Sequence, residues 1–104
     1  MNNNYTNTKG FALAPKQLVE SRLKVRFMYR EAPDNEYDSG WRFFSGNETD
    51  DYVNDPENIG LYDISTIIQI DKDIVPYLDS PEGSAFERED ANAPFIMSSK
   101  REAE

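Results

Sequence analysis

The 104 residues, 12.0 kDa in all, suffice for one domain with a small core and not for two. They include no cysteine and no histidine, which excludes a disulfide framework, a Ser–His–Asp triad, a cysteine nucleophile and a Cys/His zinc site. A formal net charge of −9 argues against a general nucleic-acid binder, because phosphate contacts need clustered Lys and Arg.

In chain order, residues 1–9 are rich in Asn and Thr and read as a disordered lead-in without the apolar segment of a secretory signal. "GFALAPKQLVE" holds short apolar runs broken by Pro15, the pattern of an edge strand with an irregularity. In "SRLKVRFMYRE", the apolar Leu23, Val25, Phe27 and Tyr29 alternate with the basic Arg22, Lys24, Arg26 and Arg30, and Met28 is the exception. A period of two predicts a half-buried strand with the first set on the core and the second in water.

"APDNEYDSG" supplies turn chemistry, and "WRFFS" predicts a returning antiparallel strand. That strand places Trp41 and Phe43 on one face and Arg42 and Phe44 on the other. Trp41 and Phe43 are expected to meet Val25, Phe27 or Tyr29. Residues 46–60 read as a long acidic loop with a helical turn near "TDDYVND", ended by Pro56.

From Asp63 the period changes, with Ile64, Ile67, Ile68, Ile74, Val75 and Leu78 at spacings of three and four. This predicts two short helices, with Asp63 as N-cap, a break at Asp71 or Lys72, and Pro76 in the first turn of the second. "SPEG" is then a turn whose Gly83 supplies a positive φ, "SAFERE" is the last strand, and residues 93–104 are irregular or frayed. The whole predicts a single α+β domain over residues 10–92: a small antiparallel sheet in the order β-β-β-α-α-β, with two short helices.

Burial falls heavily on aromatics, since hydrophobic residues make up only 38% of the chain. No stretch approaches the roughly 20 apolar residues that cross a bilayer, so the expected setting is the cytoplasm, without membrane contact. The charge is lopsided. Residues 1–30 hold six basic side chains against Glu20, a local +5, and the remaining 74 hold five bases against nineteen acids, a local −14. Either the two parts pair in the fold, or the acids face a basic partner and speed its encounter. The stripe Arg22, Lys24, Arg26 and Arg30 is expected to meet acids of residues 31–57 folded across it.

Carboxylates carry whatever chemistry remains. A domain this small has little room for a sugar-binding cleft between paired acids. "NETDDYVNDPEN" has the composition of a calcium loop and fails the EF-hand spacing. Counting from Asp50 or Asp51, the sixth place is Asp55 or Pro56 and the twelfth is Leu61 or Tyr62. Gly40, Gly46 and Gly60 are isolated and form no phosphate-binding loop, so no cofactor, metal or catalytic residue is assigned.

Three motifs, "YREAPDNEYDSGWRFF", "DPENIGLYD" and "PYLDSPEGSAFER", carry a resemblance over residues 10–90. The chain resembles a small bacterial domain, long of unknown function and later grouped with immunity proteins of polymorphic toxin systems. The resemblance implies a compact, cytoplasmic, acidic protein that neutralises a toxin by binding it, with no catalytic residues. It places the motifs' polar positions Arg30, Glu31, Asp38, Ser39, Arg42 and Glu57 at a shared surface, although turn-making and local ion pairs explain them equally well.

The expectation is therefore a non-catalytic binding protein, monomeric or a weak dimer, that grips a protein partner, a basic one, through acids around an aromatic patch. Trp41, Asp50, Asp51 and Tyr52 complete the candidate site, with Trp41 open to a second reading as a core anchor. The alternative is a small-ligand or metal-responsive regulatory domain using the same loop.

Overall fold

The computed structural model describes residues 10–98, so the lead-in at 1–9 and residues 99–104 of the tail lie outside the described residues. Six strands form one mixed sheet: β1 (Phe11–Pro15), β2 (Phe27–Arg30), β3 (Asp38–Phe44), β4 (Ile59–Asp63), β5 (Ala85–Glu87) and β6 (Ile96–Met97). Their spatial order is β4-β1-β3-β2-β5-β6, antiparallel throughout except for the parallel pair β1 and β3. Helices α1 (Lys16–Glu20), α2 (Asp50–Val53) and α3 (Ile64–Ile70) and 3₁₀ turns at Pro56–Asn58 and Lys72–Tyr77 complete the domain.

One face of the sheet is sealed. Alternation in β3 turns Trp41 and Phe43 to that face, where Met28 of β2 and Ala12 and Ala14 of β1 join them. Leu18, Ile64, Ile67, Ile70, Ile74 and Leu78 cover these from the helices, and Trp41, Phe43, Met28, Ile64 and Ile67 are wholly enclosed. Asp63 caps α3 as expected, accepting the Ser65 N–H at 2.9 Å. The helix ends at Asp71, whose own carboxylate is buried. That carboxylate accepts the Val25 N–H at 2.9 Å and pairs with Arg88 at 2.5 Å. Arg88 returns a hydrogen bond to the Val25 carbonyl at 2.9 Å and stacks 4.2 Å from the Phe95 ring centroid. This closed ion pair seals the core below β2.

Several expectations are corrected. The antiparallel three-strand start gives way to a mixed sheet of six strands, because "FALAP" is an inner strand between β3 and β4. Pro15 is tolerated there as its last residue, where it leads into α1, and the expected irregularity is a register shift between Phe11 and Leu13. The acidic loop does hold a helical turn, α2, but "IGLYD" is an unforeseen strand, β4. The second predicted helix is a 3₁₀ turn with Pro76 near its end, not in its first turn. Gly83 has the expected positive φ, whereas β6 and the buried Phe95 fall in the segment read as irregular.

The largest correction concerns residues 22–30. Only Phe27–Arg30 form a strand, after a reversal in which Arg22 takes φ 51°. Val25 and Met28, three apart, both point into the core, so the alternation slips by one between them. Asp71 and Arg88 hold the Val25 main chain in place of a ladder partner. Phe27 and Tyr29 therefore lie on the opposite face from the one predicted. The basic stripe dissolves too: Arg22 donates to the Gln69 carbonyl, Arg26 to that of Glu89, and Arg30 to those of Ser39 and Ser80.

Candidate functional site

Among the described residues, the only helix against the second face of the sheet is the short α2 at one side. Across β1, β3 and β2 it presents Leu13, Arg42, Phe44, Phe27 and Tyr29 in register. Phe27, Tyr29 and Phe44 form one aromatic patch, with ring centroids 5.7, 6.3 and 6.1 Å apart and Tyr29 and Phe44 within 12° of parallel. All three are half-buried, and Leu61 and Ile96 on flanking strands stand exposed. The loop after β3 arches over one side and leaves a hollow of about 550 Å³, whose rim carries Glu31, Glu48 and Asp50 and whose far wall is Val53, Asn54 and Ile59.

Local chemistry holds the arch. Glu48 accepts the Ser45 N–H at 2.8 Å, the Ser45 hydroxyl at 2.7 Å and the Gly46 N–H at 3.0 Å, folding the turn back on itself. Thr49 caps α2 by accepting the Tyr52 N–H at 3.1 Å. The Tyr52 hydroxyl accepts the Gln17 N–H at 3.0 Å, which ties the arch to α1.

Beneath the hollow lies Arg42, only 2% exposed. Two parallel hydrogen bonds of 2.9 Å join its Nη atoms to the Asp38 carboxylate, and its Nε donates to Glu31 at 2.6 Å. Its Nη1 also donates to the Trp41 carbonyl at 3.1 Å. The Arg42 hydrogen bonds hold the Asp38 carboxyl well below the usual carboxylate range, with burial opposing and the Asp34 and Gly40 N–H groups assisting. Burial works to lower the guanidinium, but Asp38 and Glu31 outweigh it and leave it raised, so the charge is permanent. Gly40 makes the arrangement possible: at φ +88°, a Cβ there would stand 2.3 Å from the Glu31 carbonyl oxygen.

The candidate residues thus divide. Glu31, Asp50 and the buried Arg42 line the hollow, and Asp38 pairs with Arg42 outside that lining. Ser39 is buried, accepting the Trp41 N–H, and Arg30 braces the β2–β3 connection with its guanidinium 5.8 Å from the Trp41 ring centroid. Trp41 is fully enclosed, its Nε1 donating to the Leu78 carbonyl at 3.3 Å, so the reading as an exposed anchor is corrected to core. Tyr52 serves the arch, and Asp51 and Glu57 are exposed but do not line the hollow.

Phe27, Tyr29, Phe44 and Glu48 were missed as site residues. Their signal was present: "FMY" and "FF" put apolar side chains at consecutive strand positions, which loads both faces of a sheet. Among the described residues no group of three or more acidic side chains is placed to hold a metal ion, and no helix is long and apolar enough to cross a membrane.

Fold and site together define a small α+β domain with one sealed sheet face and one open face around an acid-rimmed aromatic hollow. The chain belongs to the family described as the Immunity protein Imm33 domain, whose model matches residues 12–98, and it is thereby grouped with the immunity proteins of toxin systems. No match was found among curated proteins or among solved structures.

Proposed function

We propose that this protein neutralises a protein toxin in the cytoplasm by binding it, without catalysis, and that the toxin docks on the open face of the sheet. The observation that carries the reading is the uncovered patch of Phe27, Tyr29 and Phe44, bordered by Glu31, Glu48 and Asp50. Large rings left partly exposed on a regular sheet are the kind of anchor that supplies most binding energy once a partner desolvates them. The acids on the rim and the exposed Asp51 and Glu57 raise the association rate and select a basic surface.

The test is co-expression with a toxin that the parent protein neutralises. Phe44→Asp is expected to abolish protection while the circular-dichroism spectrum and melting temperature stay close to those of the parent. Full protection by a folded Phe44→Asp, Tyr29→Asp double variant would overturn the reading. One observation favours the small-ligand alternative: the hollow falls within the range of about 300–1,000 Å³ common for ligand pockets. A melting temperature raised by a metabolite pool, with toxin affinity unchanged by the Phe44 variant, would establish that alternative.

A further inference from the structure

We infer that the hollow is the seat of a single arginine side chain presented by the toxin, an inference that rests on the docking face proposed above. Arg42 is the one cation among the described residues lining the hollow, and each of its three side-chain nitrogens already donates, to Glu31, to Asp38 or to the Trp41 carbonyl. Four of its five N–H donors are thereby occupied, so at most one is left for an incoming anion. Its single charge is outnumbered by Asp38 and Glu31 beside it and by Glu48 and Asp50 on the rim. Glu48 is occupied only by the neutral donors of Ser45 and Gly46, and the exposed Asp50 carboxylate has no hydrogen bond or ion pair among the described residues. The site is therefore set for a cation.

The floor selects among cations. Tyr29 and Phe44 lie within 12° of parallel and Phe27 is tilted beside them, so aromatic rings share the base with the largely occupied Arg42. A guanidinium stacks flat on such rings while its N–H edge reaches carboxylates at the rim, whereas a compact ammonium keeps its water and gains less. The aliphatic stem of the same side chain would lie against Leu13 and Val53.

The full chain, titrated with n-butylguanidinium, n-butylammonium and pentanoate and followed by NMR, tests the inference. Guanidinium is expected to move the ring signals of Phe27, Tyr29 and Phe44 together, with an affinity on the order of millimolar. Ammonium should bind about threefold more weakly or less well still, and pentanoate should leave the rings unmoved. Asp50→Asn should weaken guanidinium binding severalfold without altering the rest of the spectrum. Rings unmoved by guanidinium, an equal response to pentanoate, or micromolar affinity typical of a dedicated small-ligand pocket would each overturn it. If Phe44→Asp abolishes toxin protection while guanidinium leaves the rings still, the docking face stands and the arginine seat falls. If guanidinium binds and the variant still protects, the toxin is not the donor and both fall.

Discussion

Phe43 and Phe44 are adjacent in β3 and chemically identical, yet one is wholly enclosed and the other only partly buried. The sheet has two apolar faces, and the isoleucines of α3 and the following turn suffice to seal only one of them. Aromatic area on the sealed face is spent on folding. On the open face it remains available, bordered by charge that an ordinary core would exclude. The contrast teaches that the surface of interest is marked by what was left uncovered, more than by the acids that first draw the eye.

Truncation at the two phenylalanines sharpens this contrast most. Phe43→Ala should cost about 3–5 kcal/mol in urea unfolding, as buried aromatic deletions do, and Phe44→Ala only about 1 kcal/mol. Equal losses would mean that the two faces are one core. Acid titration gives the next largest effect. Since Arg42 lowers the Asp38 carboxyl in the folded state, the unfolded chain binds that proton more readily. The contribution is fully present above the unfolded value of about 3.9 and is lost as pH falls through it toward the folded value. Asp63, lowered by the Ser65 N–H, acts in the same sense from the sealed side. Unfolding followed by Trp41 fluorescence should show stability declining below about pH 5, with Asp38→Asn flattening the decline more than Asp63→Asn.

The smallest effects come from the helix caps. Asp63→Ala should cost about 1 kcal/mol of global stability, because α3 covers the core. Thr49→Ala should change it by less than about 0.5 kcal/mol, because α2 buries no residue, and should show instead as faster amide exchange at Tyr52. A reversed order would place α2 among the elements that hold the fold.

Much of the fold was legible where a local rule acts alone. The Asp63 cap, the three-and-four spacing after it and the facing of Trp41 against Arg42 all follow from neighbouring residues, whereas "DSG", read as a turn, opens β3. What escaped depends on distant partners. "FALAP" has no local mark of an inner strand, and β4 needs β1 beside it to be extended at all. The phase of β2 is decided by Asp71 and Arg88, whose buried pair no local pattern announces. The site suffered from that slip: Glu31 and Asp50 were named, while Phe27 and Tyr29 between them were assigned to the core. Arg42 and Asp38 were named as surface and are the buried brace beneath it.

The parallel contact of β1 with β3 carries a consequence for how this chain is made. Residues 11–15 lie one strand in from the edge of the sheet, and both of their neighbours come later in the chain, β4 last. Assembly must wait for β4, which predicts slow maturation dominated by distant pairings. Loss of that one early segment would leave β4 without a partner and detach it from the other four strands.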